Sequence, residues 1–452
     1  MIKDNCNNEV QTAIRGPVIT FTDDPFKRNL DDAMVYEPDG IIAFANGIIT
    51  HFGPAGVIAP QLPPGVKITH YGSDSLISAG FIDSHVHYAQ TPMIGAFGEQ
   101  LLDWLNKYTF PMERKFSDKD FARSVAKVFL QERLKHGITT SCVFGTVFPQ
   151  SVDALFEEAD KLNMRIAGGK VMMDRNAPDY LLDTPETSYD ETKALIEKWH
   201  GYHRIMYAIT PRFAPTSTAE QLSVAGALFA EYPQCYMQTH IAENLNEVEW
   251  VKALFPEREG YLDVYDHYGL CRPRALFGHG IHLTENELAR LHSSGSAITH
   301  CPTSNFFLGS GYFNASRAMQ KNRPVRTGLG TDIGAGTSFS MLTTLSEAYK
   351  AAQLNQSALH PAQAWYLATR GTAHAMYIDD KVGSIAPGME ADIVVIDMKS
   401  TPMIDYRMQF VQDINEALFV QITLGDDRAI RATYIAGELR YSKDAIMEGE
   451  HK

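Results

Sequence analysis

The spacing of apolar and polar residues changes near residue 76 of the chain. Before this point, short apolar runs alternate with clusters of turn-forming residues, a pattern typical of small strands. Strands are predicted here at Ala13–Phe21, Ala33–Tyr36, Gly40–Ala45, Gly47–Phe52 and Lys67–Tyr71. Residues 1–75 therefore predict a small all-β unit.

From Leu76 onward, apolar strands alternate with long amphipathic helical stretches. In Asp118–Leu130, apolar residues recur at spacings of three and four, as on one face of a helix. Strands are predicted at Ile77–His87, Thr139–Thr146, Arg165–Met172, Ile205–Pro211, Tyr236–Ile241, Ala275–Gly280, Ala297–Cys301 and Thr327–Asp332. Helical runs lie between most of them, at Ser151–Leu162, Ser188–His200, Thr218–Glu231, Asn246–Leu254 and Thr284–Ser293.

This alternation of strands and helices indicates an α/β protein with a parallel sheet. Eight strand and helix units over about 300 residues predict a closed (β/α)8 barrel of the TIM type. An open doubly wound sheet is the main alternative, but no Gly-rich phosphate turn follows the first predicted strand.

The chain returns to strands after a last barrel helix near Pro361–Met376. The predicted strands are Gly383–Gly388, Ala391–Asp397, Phe419–Leu424 and Arg431–Tyr441. Two β-rich flanks around one barrel indicate a single composite β-domain. We therefore predict that residues 1–75 together with 383–452 form this domain, and that residues 76–382 form the barrel.

Composition narrows the partners of the protein. In 452 residues, 40 Lys and Arg stand against 54 Asp and Glu, a net charge of −14, and there is no run of basic residues. This argues against nucleic acid and anionic membrane surfaces and leaves a small molecule as the expected partner. The cysteines have no C-x-x-C spacing and no stretch is apolar enough for a membrane span, so a soluble cytoplasmic protein is expected.

Polar residues occur at the carboxyl ends of several predicted barrel strands, where the active sites of such barrels lie. His85 and His87 end the first strand, and both imidazoles share one face because they are two residues apart. A His-x-His on a surface strand is the alternative explanation for this pair alone. The later strand ends carry His240, His279, His300 and Asp332.

This set of residue types is suited to a metal-dependent hydrolase. Imidazole nitrogen and carboxylate oxygen favour a divalent ion such as Zn²⁺, and a catalytic site keeps one position open for water. Asp332 could bind the metal and also accept a proton from that water, while His279 could hold the water by a hydrogen bond. The sequence does not separate the two roles of Asp332.

Two further residues admit two explanations each. Glu243 could shuttle protons beside His240, or it could cap the following helix together with Asn244. Lys170 could be carboxylated and bridge two metals, but it lies on the third predicted strand, and the fourth strand carries no lysine at its carboxyl end. A single metal is therefore expected.

With these residues in place, the sequence resembles the amidohydrolase superfamily and, within it, the guanine deaminase family. The general features are His85-Val-His87, His240, His279, Asp332 and the run Gly383-x4-Gly388-x2-Ala391-Asp392. The narrower resemblance lies in His87–Gln90, Leu102–Glu113, Thr210–Phe213, His240–Asn244, His300–Asn305 and Gly330–Asp332. Within the first 70 residues the resemblance is only architectural.

The resemblance implies hydrolysis of guanine to xanthine and ammonia, a step of purine catabolism, by a homodimer. One Zn²⁺ per chain, with Fe²⁺ as the alternative ion, would be held by His85, His87, His240 and Asp332. The purine would be bound by Gln90, Arg212 and Phe213 together with His240, Glu243 and Asp332.

The chemistry of the first three purine-binding residues agrees with this role. Arg212 has fixed donors for a carbonyl oxygen, Gln90 has a donor and an acceptor, and Phe213 has a stacking face. An ion pair on the surface for Arg212 and a core position for Phe213 are the alternatives.

The resulting mechanistic hypothesis assigns a catalytic role to three residues. Asp332 deprotonates the attacking water, Glu243 protonates the adjacent ring nitrogen, and His279 steadies the tetrahedral intermediate. Alternative functions are deamination of 8-oxoguanine, a pyrimidine, a triazine or an adenosine-like compound, and a non-catalytic scaffold on the same fold. The small zinc nucleobase deaminases are a poor match because the sequence has no Pro-Cys-x-x-Cys.

Overall fold

The computed structural model describes residue 10, residues 12–97 and residues 100–444. Its larger sheet consists of parallel strands in the order in which they follow along the chain. Those strands are Phe81–His87, Ile138–Phe144, Arg165–Gly169, Ile205–Pro211, Tyr236–Ile241, Ala275–His279, Ala297–His300 and Arg326–Leu329. A short strand, Val171–Met172, continues the third strand and pairs with the fourth.

The sheet curves until its first and eighth strands meet. Just beyond the eighth strand, the amide of Asp332 donates to the carbonyl of His85 at 3.0 Å, and the amide of His87 donates to the carbonyl of Ile333 at 2.9 Å. Side chains from successive strands fill the interior of the ring, among them Ile82, Cys142 and Tyr236. The predicted TIM-type barrel is therefore confirmed.

Helices cover the outside of this barrel. They are Lys119–Lys135, Pro149–Lys161, Pro185–Trp199, Ala219–Glu231, Leu245–Leu254, Tyr261–His267, Glu285–Ser294, Pro302–Phe307, Ala315–Ala318, Met341–Leu354, Pro361–Tyr366 and Thr372–Ala375. Several begin at a side chain that accepts from their first free amides, as Asp118 and Thr284 do. Within the described ranges, none of the helices has the length and apolar character needed to cross a bilayer.

The second sheet combines strands from both ends of the chain. In spatial order they are Glu438–Ser442, Ile430–Ile435, Ile393–Asp397, Ser75–Ala79, Thr12–Phe21, Met34–Ala45 and Ile48–Pro54, with Lys67–His70 also paired to Thr12–Phe21. The two ends join where Ile393–Asp397 runs antiparallel to Ser75–Ala79. The predicted β-sheet from both chain ends is thus present, and the division at residues 76 and 383 remains our proposal for the domains.

Several strand predictions need correction. The stretch predicted as one strand at Ile77–His87 is two, because Ser75–Ala79 belongs to the second sheet and the barrel begins at Phe81. Between them lies Gly80, where an added Cβ would be 2.3 Å from Thr139 Cγ2. The segments predicted at Ala33–Tyr36 and Gly40–Ala45 form the single strand Met34–Ala45.

Further errors concern the last part of the chain. Phe419–Leu424 was predicted as a strand but lies in the helix Ile414–Leu424, which begins where Asp413 accepts from the amide of Glu416. Gly383–Gly388 is a turn rather than a strand, and both glycines have positive φ angles, 93° and 92°. The helix Met341–Leu354 was not predicted.

A buried ion pair fixes the junction of the first and eighth barrel strands. Asp83 and Arg133 are both fully buried and form a short salt bridge. Asp83 Oδ1 also accepts from the amides of His85 and Thr331, each at 3.1 Å. One carboxylate thereby joins the strand that carries His85 and His87 to the loop that carries Asp332.

Candidate active site

Four side chains meet at the carboxyl end of the barrel. His85 and His87 come from the first strand, His240 from the fifth, and Asp332 follows the eighth. One ligand atom of each lies within 4.8 Å of all the others. Asp332 Oδ1 is 3.3 Å from His85 Nε2 and 3.4 Å from His87 Nε2, and the Nε2 atoms of His87 and His240 are 3.1 Å apart.

The electrostatics of this cluster suit a divalent cation. Burial lowers the pKa of His87 and of His240 well below the usual value, so both rings are neutral. Burial alone would raise the pKa of Asp332, but the surrounding imidazoles hold it below its usual value. His85 Nε2 is buried without a hydrogen-bond partner. Neutral rings at His87 and His240 beside a carboxylate, together with the unsatisfied nitrogen of His85, fit a metal.

The orientation of His240 is set by a main-chain carbonyl. His240 Nδ1 donates to the carbonyl of Arg212 at 2.7 Å, which leaves Nε2 without a proton and directed at the cluster. Holding the second nitrogen of a ligating histidine in this way is typical of metal sites. Arg212 therefore contributes to the cluster through its backbone.

His85 has room for its ring because two neighbouring residues have no side chain. An added Cβ on Gly278 would lie 2.5 Å from His85 Cε1, and one on Gly330 would lie 2.8 Å from His85 Cβ. Real Cβ atoms do not approach this closely, so both positions require glycine. No role was predicted for Gly278 from the sequence.

His279 lies beside the cluster, and its ring is fixed by Asn305. His279 Nδ1 donates to Asn305 Oδ1 at 2.9 Å, and its Nε2 lies 3.4 Å from Glu243 Oε2 and 3.7 Å from Asp332 Oδ2. Burial opposes protonation of His279, but the two carboxylates outweigh it and raise its pKa. Asn305 was part of a quoted motif but had no predicted role.

Two of these residues have backbone angles that residues other than glycine rarely adopt. His279 has a φ of 72° and Asp332 a φ of 50°, both in the left-handed region. Such conformations cost free energy and concentrate at functional sites. Here the left-handed turn at each strand end directs the side chain across the mouth of the barrel.

Glu243 faces the cluster rather than the helix that follows it. Asn244 is the N-cap of Leu245–Leu254, and Glu247 completes the capping box. Glu243 Oε1 instead accepts from Ser310 Oγ at 3.2 Å, and burial raises the pKa of Glu243 to about 7. The alternative explanation of Glu243 as a helix cap is therefore not what the structure shows.

A cavity opens beside the four clustered side chains. It is lined by His87, Gln90, Leu101, Trp104, Leu105, Arg212, Phe213, His240, Glu243, His279, Leu308, Asp332 and Ala335. Every residue predicted for the purine therefore lines one cavity. A lining that combines apolar side chains with a few polar groups is typical of a small-molecule site.

The three residues predicted only for the purine are all buried. Gln90 Oε1 accepts from the amide of Gly334 at 3.0 Å. Arg212 Nη1 donates to the carboxylate of Glu113, so its ion pair is internal and not on the surface. Phe213 packs against Trp250 and His240 at ring distances of 6.3 and 6.4 Å while it lines the cavity.

Two residues that the sequence suggested for the site, His300 and Lys170, are not part of the four-residue cluster. His300 packs its ring 5.0 Å from that of Phe313 and contributes no atom to the four-residue cluster. Lys170 is fully buried and forms ion pairs with Asp183 and Glu191. Carboxylates thus already balance the charge of its amine. This gives no support to a carboxylated lysine that bridges two metals.

Comparison with known proteins identifies close relatives. Residues 76–440 match the amidohydrolase family. The guanine deaminase of Escherichia coli K12 is 49% identical over 435 residues, which cover 96% of this chain and 98% of that protein. The human guanine deaminase is 35% identical over 79% of this chain and 81% of its own length.

Solved structures give the same result. The E. coli guanine deaminase has a TM-score of 0.91 at 47% identity and covers 96% of this chain and 99% of its own. The C. acetobutylicum guanine deaminase, solved with guanine in its active site, has a TM-score of 0.84 at 30% identity and covers 95% and 100%.

Replacing Gly278 with alanine is expected to weaken metal binding. The new methyl group would push the ring of His85 out of the cluster, and we expect metal affinity to fall by about 10- to 100-fold, the range seen when the support of a ligand is lost. The measurement is metal content after dialysis against a graded chelator. Gly56→Ala is the control, because an added Cβ there meets nothing within 4 Å; equal metal retention by both variants would contradict the prediction.

Proposed function

The chain belongs to the amidohydrolase family, and we propose that it is a guanine deaminase, which hydrolyses guanine to xanthine and ammonia. The observation that carries this proposal is a single cavity lined both by the four clustered ligands and by Arg212, Gln90 and Phe213. Its guanine deaminase relatives align over nearly the whole chain, which supports the same substrate.

One Zn²⁺ per chain is the proposed cofactor, held by His85, His87, His240 and Asp332. Three imidazoles and a carboxylate suit Zn²⁺, and Fe²⁺ is the alternative ion for the same ligands. When bound, such an ion would act as a Lewis acid and lower the pKa of water to near neutral. His85, His87 and Asp332 are buried and His240 is partly buried, which limits the access of bulk water to that point.

Asp332 is proposed as the base that takes the first proton from the attacking water. Its Oδ1 faces His85 and His87, whereas its Oδ2 is directed toward His279 at 3.7 Å. The two oxygens can therefore serve different partners. His279, held by Asn305, would hydrogen-bond the attacking oxygen and steady the tetrahedral intermediate.

Glu243 is proposed as the acid that protonates the ring nitrogen next to the amine-bearing carbon. A carboxyl group with a pKa of about 7 is present in both forms at neutral pH, which suits a group that must give and take protons. Ser310 holds one of its oxygens, and the other faces His279. After water adds, protonation of the amine allows the intermediate to collapse with loss of ammonia.

Three other residues that line the cavity, Gln90, Arg212 and Phe213, are proposed to bind the purine. Arg212 is the only Arg or Lys among the described residues that line the cavity, so it would donate to the carbonyl oxygen of guanine. Gln90 would hydrogen-bond the ring edge, and Phe213 would contact its face. These contacts would direct the amine-bearing carbon toward the proposed metal ligands.

We further propose a cytoplasmic homodimer. The described cysteines, Cys142, Cys235, Cys271 and Cys301, are unpaired, as is usual in a reducing compartment, while Cys6 lies outside the described residues. Met403, Tyr406 and Phe410 are each more than half exposed on one segment near the second sheet. Large exposed apolar groups close together are typical of protein interfaces.

A substrate panel tests the proposed activity. The zinc-loaded protein is expected to release ammonia from guanine with formation of xanthine, and to act much more slowly on 8-oxoguanine, cytosine, adenine and melamine. Ammonia release and product chromatography are the measurements. Turnover confined to another member of the panel would favour the related aminohydrolases, and stoichiometric zinc with no turnover would favour a non-catalytic scaffold.

Replacing Glu243 with glutamine is expected to reduce turnover by about 10²- to 10⁴-fold, because the amide cannot deliver a proton. Metal content is expected to stay unchanged, since Glu243 is not among the four clustered ligands. Glu249→Gln, an exposed residue on the next helix, serves as the control. Ammonia release near that of the control would rule out Glu243 as the acid.

Light scattering tests the homodimer. We expect a mass of twice 50.3 kDa, and a monomer for Tyr406→Glu because a charge would be buried in the interface. Val128→Glu, at an exposed apolar position on a barrel helix, is the control and should remain a dimer. A monomeric wild-type protein would end this part of the proposal.

A further inference from the structure

The segment Leu102–Glu113 is part of the family resemblance, yet the reaction described above uses none of its residues. Together with Leu101, it folds as three consecutive helical pieces, Leu101–Trp104, Leu105–Thr109 and Phe110–Glu113. Leu101, Trp104 and Leu105 line the cavity from the amino-terminal half of the segment. The carboxyl-terminal half contacts Arg212 instead.

Glu113 forms the end of this contact. Arg212 Nη1 lies 2.8 Å from Glu113 Oε1 and 3.0 Å from Oε2, and both side chains are buried. The Arg212 guanidinium also lies 5.5 Å from the ring centre of Phe110. Both hydrogen bonds to Glu113 come from Nη1, and the same Arg212 side chain lines the cavity.

The other end of Arg212 is fixed as well. Its carbonyl accepts from His240 Nδ1 at 2.7 Å and from Thr239 Oγ1 at 3.2 Å. The backbone is therefore tied to the fifth barrel strand, and the tip of the side chain is tied to Glu113. Few positions of the guanidinium satisfy both attachments.

We propose that Glu113 is a positioning residue that directs Arg212 at the carbonyl oxygen of the purine and thereby sets the preference for oxo-purines. This inference rests on the proposed function. A carboxylate is suited to the task because it accepts at both oxygens and balances the buried charge of Arg212. Without it, the guanidinium loses its partner and its fixed direction.

A purely structural role for Glu113 predicts a different result. If the pair only stabilised the fold, its loss would lower stability and weaken all ligands alike. A positioning role instead affects the ligand that carries a carbonyl oxygen and spares the ligand that lacks one. Hypoxanthine and purine form such a pair, because hypoxanthine has an oxygen at ring position 6 and purine has none.

The test is calorimetric binding of hypoxanthine and of purine to the zinc-loaded protein. We expect the wild type to bind hypoxanthine at least about tenfold more tightly than purine, since charged hydrogen bonds are strong. Glu113→Gln should weaken hypoxanthine about 10- to 100-fold and purine less than about twofold. Its zinc content should equal that of the wild type.

Two further variants make the test independent of folding problems. Glu113→Asp keeps the charge but shortens the side chain, so it should fold and lose part of the preference. Glu390→Gln is the matched control, because Glu390 also pairs with two arginines, Arg165 and Arg204, and none of the three lines the cavity. This control should keep the full preference for hypoxanthine.

The outcomes separate the two proposals. Equal weakening of both ligands in the Glu113 variants, or an unchanged preference, would overturn the positioning role while guanine deamination by the wild type still stood. A wild type that binds neither ligand and yields no xanthine from guanine would overturn the proposed function and this inference with it.

Discussion

The junction between the first and eighth barrel strands is the constraint on which the site depends. His85 and Asp332 are 247 positions apart, yet a hydrogen bond of 3.0 Å joins the backbone of one to that of the other. Asp83, paired with Arg133, receives amides from both sides of the junction. Closure of the barrel at this junction therefore also brings Asp332 next to His85 and His87.

Much of this arrangement follows from the sequence because a parallel barrel collects its strand ends at one mouth. Once His85, His240 and Asp332 are assigned to strand ends, their proximity is a consequence of the fold. His300 shows the limit of this reasoning, since it also ends a strand but turns its ring toward Phe313. The position along a strand predicts the mouth of the barrel, and side-chain packing decides which residues face its centre.

Other features depend on distances that no local pattern encodes. Glu113 and Arg212 are 99 residues apart, and the role of Gly278 becomes visible only when His85 occupies the space above it. The strand wrongly predicted at Phe419–Leu424 has a similar cause, because a short apolar run fits a buried strand and a buried helix equally well. Its cap at Asp413 was the local signal that distinguished them.

Arg212 contacts His240 of the four-residue cluster through its backbone carbonyl, and its side chain lines the cavity. Its carbonyl fixes the tautomer of His240, while its guanidinium faces the space where the base would lie. The proposed ion and base would thus share one structural element, which would couple their binding free energies equally in both directions. A chain that has lost its ion would then hold the base less firmly, and a bound base would raise the affinity for the ion.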